Sequence, residues 1–309
     1  MAARHVISLN DLSDYDIHGI VHRGAELAAL PRTRLPGPGL LDGLVLGVWF
    51  NRTSTRTRTA FTTAALRLHA QVVTFGPNDL QTNTGETLDD TARVLGRMLD
   101  GLVVRTAGPE AEMRALGRYN TVLVNAMSAE EHPTQALADL STLAARFGTV
   151  DGLRVLYVGE GNNTAVALAR GLSRYSGTLL DLRTPPGYGL PKDVLDEAAD
   201  TARRHGSRVI ESHDLDHLPS EVEVVYTTRW QTTGTSKADP GWRKDFERFR
   251  VDGELFARFP NARFMHDLPA HRGEEVTGEV LDGAKSIAFD QAEMKMHSAT
   301  AIWEWCYQS

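Results

Sequence analysis

Apolar stretches of strand length recur along this chain, separated by longer stretches of helical period. In the first half LVLGVWF (44–50), QVVTF (71–75), GLVVRT (101–106) and TVLVNA (121–126) read as strands, with helices filling the gaps. A second series runs through RVLYVGEG (154–161), TLLDLRT (178–184), RVIES (208–212), EVVYTT (223–228) and RFMHDL (263–268). Strands alternating with helical connections are the pattern of parallel sheets, so the expected fold class is α/β: two doubly wound parallel-sheet domains joined by helices. The segment PTQALADLSTLAARFG has proline at a helix-start position and glycine at its end, and it lies between the two series as the interdomain connection. The domains then run over residues 1–134 and 135–290. The last stretch, FDQAEMKMHSATAIWEWCY, keeps helical spacing without a break and is expected as a terminal helix.

Composition narrows the function. A chain of 309 residues with 41% hydrophobic and 24% charged content can bury two moderate cores. A net charge of −7 argues against a general nucleic-acid binder and for a small substrate. The single cysteine, Cys306, has no internal partner for a disulfide and fits a reducing compartment. No apolar run approaches membrane-spanning length, and MAARHVISLN lacks the core of a signal peptide; a cytoplasmic location and no membrane partner are expected.

The sharpest local chemistry is FNRTSTRTRTAF, residues 50–61, at a strand-to-helix junction. A helix N-terminus offers unpaired N–H groups and the positive end of the macrodipole, and hydroxyls with an arginine complete a cage for a phosphate dianion. Ser54, Thr55, Arg56 and Thr57 are the expected cage. Arg56 and Arg58 cannot both point at one ligand so near a helix start, so Arg56 is assigned to the phosphate and Arg58 to a structural ion pair. A bare Ser-Thr-Arg triplet is usually only a cap and a solvated turn. The preceding buried strand and the doubled Thr-Arg favour a binding site here. Arg105, ending one strand, and EEHPTQ, with His132, Thr134 and Gln135 following another, fall at the edge where open α/β sheets bind ligands.

S-T-R-T-R, then H-P-T-Q, then H-x-L-P at 266–269, in this order and spacing, resembles the aspartate/ornithine carbamoyltransferase family over essentially the full chain. DTARVLGRMLDG and HRGEEV look closest to its ornithine branch. The resemblance implies a carbamoyl-phosphate domain, an amino-acid domain, a terminal helix (291–309) returning to the first, and a homotrimer with active sites shared between subunits. It implies that Ser54, Thr55, Arg56 and Thr57 hold the phosphate and that Arg105, His132 and Gln135 hold the carbamoyl end. Gln81 would reach a neighbouring subunit's site, and Lys295 would touch the carbamoyl group. No metal or organic cofactor is expected. Thr55, Arg105 and His132 are the candidate catalytic residues, donating hydrogen bonds to the carbonyl oxygen as charge builds on it.

The acceptor side departs from the ornithine pattern. YTTRWQTTG (226–234) stands where that branch usually reads T-D-x-W-x-S-M-G, with Thr228 in place of the Asp that would hold an α-ammonium. Arg229 and Gln231 instead resemble the T-R-x-Q arrangement of the aspartate branch, a clamp for a carboxylate. Asp267 occupies the position where the two branches typically carry Cys or Pro, and Lys295 one where the ornithine branch usually carries Arg. A carboxylate at Asp267 suits a second ammonium and repels a dicarboxylate. The resemblance also suggests a cis Leu268-Pro269 bond that aims the Leu268 carbonyl at the amine, and puts Asn162 or Asn163 near the acceptor's α-groups. The favoured acceptor is a short diamino acid such as 2,3-diaminopropionate, with ornithine second and aspartate third. Two other classes are a non-catalytic carbamoyl-phosphate-binding paralogue and a dinucleotide enzyme built on GEGNN; the latter turn lacks a third glycine and a clear ribose-binding acid.

Overall fold

The computed structural model describes residues 4–31, 39–119, 122–232 and 235–308. It divides into two compact units, one running to Arg146 and taking in the residues from Glu293 onward, the other Phe147–Ala292.

The first unit is built on β1 (Val45–Phe50), β2 (Gln71–Phe75), β3 (Gly101–Arg105) and β4 (Val122–Met127). All pairs are parallel, in the order β2-β1-β3-β4. Residue Thr121 of the expected fourth strand lies outside the described residues. Strands β3 and β4 are buried along their whole length, which is why they read as unbroken apolar runs. Strand β2 is the edge and stays largely open. The helices are α1 (Asp14–Ala29), α2 (Arg56–Arg67), α3 (Leu88–Leu95), α4 (Glu110–Leu116) and α5 (Pro133–Phe147). Ser13 and Asp16 form a capping box that starts α1, and the Thr87 side chain caps α3. Gly148, with φ of 80°, follows α5 in the left-handed region that ends helices.

The second unit has a five-stranded parallel sheet ordered β7-β6-β5-β8-β9, from β5 (Arg154–Val158), β6 (Leu179–Arg183), β7 (Arg208–Ser212), β8 (Val224–Thr227) and β9 (Arg263–His266). Around it lie α6 (Asn163–Leu172), α7 (Lys192–Arg204) and three short helices, α8 (Arg243–Phe246), α9 (Gly253–Ala257) and α10 (Gly278–Leu281). The chain ends in α11 (Ala288–Tyr307), unbroken over 20 residues. Its later turns belong to the first unit, where Trp303 is fully buried edge-on to Phe61 and Glu304 accepts from Nε and Nη2 of Arg23 at 2.6 and 3.0 Å. Cys306 is buried there, and burial pushes its thiol far up, so it is an inert packing residue. Both sheets are parallel and both are served by helices, as the α/β reading anticipates. Among the described residues no helix is long and apolar enough to cross a membrane.

Candidate functional site

In each sheet the strand order reverses at one point. In the first unit β1 has β2 on one side and β3 on the other; in the second β5 lies between β6 and β8. Loops leaving the C-terminal ends of such neighbouring strands diverge and open a crevice. Candidate residues of each unit fall at these ends.

In the first unit the segment after β1 leads into α2. Thr55 is the N-cap of α2, but its side chain makes no capping bond, so the helix start keeps N–H donors that no cap side chain satisfies. Ser54 and Arg56 are half-buried, Thr55 is exposed and Thr57 is buried. The ion pair expected of Arg58 does not form among the described residues; Arg58 lies half-buried on the first turn of α2, where no carboxylate meets it. Arg105 pairs across the sheet with Phe50, and its carbonyl accepts from the Asn51 N–H at 3.1 Å, which joins the end of β3 to the start of the Ser54 segment. The register between β3 and β4 slips at Val104/Arg105, a local irregularity of the kind that re-aims side chains at strand ends. Arg105 is 9% exposed.

His132, Thr134 and Gln135 open α5, and with Thr57, Phe61 and Lys295 they line one pocket. Lys295 arrives from α11 and is buried. His132 Nδ1 lies 3.3 Å from the Thr134 hydroxyl. The Gln135 amide nitrogen donates to Asp139 at 2.8 Å, whereas its Oε1, fully buried, has no hydrogen-bond partner. A buried carbonyl oxygen without a donor costs roughly 1–3 kcal/mol, so this atom calls for an N–H from a ligand. Gln81 stands apart, exposed at the start of a short 3-10 turn, where its Oε1 accepts from Thr84 at 2.7 Å.

What holds His132 in place could not be read from motifs. The turn between β4 and α5 is fastened by Asn125, Ser128 and Glu131, all fully buried. Glu131 accepts from the Ser8 hydroxyl at 2.5 Å and the Leu9 N–H at 3.0 Å, while Ser128 donates to the Glu131 carbonyl at 3.2 Å and Asn125 donates to the Ile7 carbonyl at 2.8 Å. The one available signal was a charged EE pair directly before HPTQ, which is indistinguishable from a solvated turn.

In the second unit the ends of β5, β8 and β9 bring Asn162, Asn163, Thr228, Arg229, Asp267 and Leu268 to one edge of the sheet. Asp267 is held by two hydroxyls, Thr228 to Oδ1 at 3.0 Å and Thr164 to Oδ2 at 3.1 Å. Thr164 was missed in the sequence because a threonine in a helix's first turn carries no distinctive pattern. Leu268-Pro269 is cis, and Leu268 has a φ of 52°, a left-handed conformation that costs a leucine about 1–3 kcal/mol and persists only when its surroundings enforce it. The Leu268 N–H donates to His266 Nδ1 at 2.8 Å, which leaves the proton on Nε2 facing Glu275 Oε1 at 3.2 Å. Both His266 and Glu275 are fully buried, and the His266 N–H donates to Gln291 at 2.9 Å.

Two acceptor candidates are already employed. The Asn162 side-chain oxygen Oδ1 caps α6, accepting from Thr164 N–H at 3.0 Å and Ala165 N–H at 3.2 Å. The Gln231 amide donates to the Thr235 carbonyl at 2.7 Å, which ties its own loop rather than extending beside Arg229 as a ready carboxylate clamp. Arg229 is half-buried, and Thr233 and Gly234 of the same motif lie outside the described residues.

The first unit gathers cationic and hydroxyl groups at a helix start, and the second gathers a carboxylate, hydroxyls and an arginine at one edge of its sheet. The carbamoyl-P binding domain of aspartate/ornithine carbamoyltransferases matches residues 4–145, and the Asp/Orn binding domain of the same enzymes matches residues 151–306. The chain therefore belongs to the aspartate/ornithine carbamoyltransferase family and is a carbamoyltransferase. It is 37% identical over 301 residues to an ornithine carbamoyltransferase of Caldicellulosiruptor saccharolyticus, covering 97% of each chain. Against that of Symbiobacterium thermophilum it is 38% identical over 308 residues, with 98% of this chain and 97% of the other covered. Among solved structures, ornithine carbamoyltransferase from Pyrococcus furiosus superposes with a TM-score of 0.88 at 34% identity, covering 98% of this chain and 96% of that one. The Gloeobacter violaceus enzyme gives 0.85 at 32% over the full length of both.

Proposed function

We propose that this chain transfers the carbamoyl group of carbamoyl phosphate to the side-chain amine of a diamino acid, with ornithine the first candidate. The observation that carries the donor half is Gln135 Oε1, a buried acceptor without a partner in a pocket shared with His132 and Lys295. A carbamoyl NH2 is the donor that would satisfy it. In this reading Ser54, Thr55, Arg56 and Thr57 hold the phosphate with the α2 N-terminus, and Thr55, Arg105 and His132 donate to the carbonyl oxygen. Lys295 adds a buried positive charge beside the carbamoyl group, as a point charge where an arginine would offer a planar fork. The neutral amine attacks the carbonyl carbon, the C–O bond to phosphate breaks, and the departing phosphate takes the amine proton. No protein base is required.

Ornithine is supported by the names of the relatives, ornithine carbamoyltransferases along nearly the whole chain. The expectation that a shorter acceptor comes first has no such support. One observation keeps it as the second reading: Thr228 donates to Asp267, so this edge has its carboxylate at 267 rather than 228, on the cis-proline segment beside Leu268. An ammonium held by Asp267 would sit nearer the Leu268 carbonyl than one held at 228, which suits a short diamino acid such as 2,3-diaminopropionate. Arg229 would take the carboxylate in either case, and Asn162 and Asn163 would flank the α-carbon groups.

Gln81 fits a homotrimeric arrangement in which it completes a neighbour's site. The same unit exposes Leu66, Val73, Val94 and Met98, apolar side chains that a second copy could cover. Ureido formation from carbamoyl phosphate, measured against ornithine, 2,3-diaminopropionate, lysine, putrescine and aspartate, tests the whole reading. Highest kcat/KM with ornithine supports the first acceptor, and with 2,3-diaminopropionate the second. Turnover confined to aspartate or putrescine would sink both, and no turnover with any amine would favour a binding paralogue.

A further inference from the structure

Beyond the residues that resemble family motifs, the second unit contains a charged group in unusual surroundings. Lys237, in the loop after β8, is only 9% exposed at its side chain. Its ammonium pairs with Glu160 and lies over three rings at once, 4.6 Å from Tyr188, 5.1 Å from Phe246 and 5.2 Å from Trp242. The rings brace one another: Tyr188 and Phe246 are 4.7 Å apart, and Trp242 meets Phe246 edge-on at 5.5 Å. Trp230 also packs on Phe246, tilted, at 5.5 Å. A desolvated ammonium over several aromatic faces with a carboxylate beside it is a strong, directional fixture.

What the fixture joins gives it meaning. Glu160 sits in the turn between β5 and α6, two residues before Asn162, and its backbone carbonyl accepts from the Tyr157 hydroxyl at 2.6 Å. Gly161 in that turn donates its N–H to the Tyr188 carbonyl at 2.7 Å, and a Cβ at Gly161 would fall 2.4 Å from the Gly189 carbonyl carbon, so the turn is pressed against the loop that carries the Tyr188 wall. On the other side, Lys237 and Trp230 belong to the stretch that begins Thr228-Arg229. Burial holds the Glu160 carboxyl above the usual carboxylate range in spite of Lys237, and the Thr232 hydroxyl donates to its other oxygen at 3.5 Å.

We propose that Lys237 is a positioning residue for the acceptor side of the reaction: clamped by Glu160 and the box of Tyr188, Trp242 and Phe246, it pins the segment carrying Thr228 and Arg229 to the turn carrying Asn162 and Asn163. The inference rests on the reading that these residues receive the amino acid. Lys237 itself touches no reacting group. Its removal therefore affects acceptor binding through the geometry of Arg229 and leaves carbamoyl-phosphate binding alone.

Lys237→Met keeps an apolar stem in the box and drops the charge; Lys237→Arg keeps a cation that can stack there. Kinetics on the full chain and limited proteolysis of the 228–242 stretch read the two halves of the inference separately. Lys237→Met should raise the acceptor KM about tenfold with the carbamoyl phosphate KM unchanged within about twofold, and Lys237→Arg should recover most of the loss. In parallel, cleavage within 228–242 should appear at protease levels that leave the parent intact. If Lys237→Met does not fold because Glu160 is left buried and unpaired, the double variant Lys237→Met/Glu160→Gln removes both charges and carries the same expectation. Unchanged cleavage overturns the pinning. Increased cleavage with an unchanged acceptor KM overturns the assignment of the acceptor to this segment, and a KM rise for both substrates together overturns the positioning role.

Discussion

The two units share a topology but differ in the charges they carry at their strand ends. The first has cations and hydroxyls there, Arg105 ending β3 and Arg56 opening α2, with His132 and Lys295 lining one pocket; in the proposed reading these serve an anionic donor. The second has a mixed set, Arg229 after β8 and, after β9, an Asp267 that is steadied by Thr164 and Thr228; in the proposed reading this set takes an acceptor that carries both signs. The donor half therefore has little room for chemical drift, since a phosphate and a carbamoyl group demand the same partners in every carbamoyl transfer. In the proposed reading the acceptor half has its carboxylate at 267, hydrogen-bonded to Thr228, and is the half open to variation.

That contrast can be broken from either side. The largest effect is expected for Arg105→Ala, which removes a donor to the developing oxyanion and should lower kcat about a thousandfold, or about 4 kcal/mol, by steady-state ureido assay. A loss confined to the acceptor KM would erase the division of labour. Arg229→Ala should raise the acceptor KM about thirtyfold, roughly 2 kcal/mol for a charged hydrogen bond, while the carbamoyl phosphate KM stays within about twofold. Equal shifts in both would contradict the carboxylate clamp. Asp267→Asn keeps the shape and removes the charge; about a tenfold loss with 2,3-diaminopropionate and a smaller one with ornithine is expected if the short acceptor is the true one. Equal losses would leave ornithine alone. The smallest effect is Thr228→Val, which strips one hydroxyl from Asp267 and should cost about 1 kcal/mol in acceptor kcat/KM with no change in melting temperature beyond a few degrees.

Much of the scaffold was legible because it is made of short, fully buried runs. VLVNA and RVLYV have no alternation to misread, and Pro133 and Gly148 punctuate α5 as their backbone preferences dictate. The places of the proposed donor residues were legible as well: Arg105 ends β3, Ser54 to Thr57 lie at the start of α2 after β1, and His132 directly precedes α5. Hidden from sequence were the side chains whose roles depend on distant partners. Glu131 looks like a solvated turn residue until Ser8 and Leu9 meet it. The use of the Asn162 side-chain oxygen as the cap of α6 is not marked in the sequence, and Lys237 is separated by long stretches of chain from Glu160 and Tyr188. Local pattern reports period and capping; it does not report which polar atoms have already been used.

Thr55 sits at the N-cap of α2 without capping it. A helix whose N-cap side chain makes no capping bond is short of about 1 kcal/mol that an ordinary cap supplies. An anion seated on those N–H groups would supply the missing partner, so α2 would be a helix finished by its own ligand. Binding and folding then become one equilibrium: at a hundredfold excess over Kd the donor would add about 2.7 kcal/mol to the stability of the chain. Resistance to heat would rise and fall with the supply of substrate, and the enzyme would be sturdiest when it has work to do.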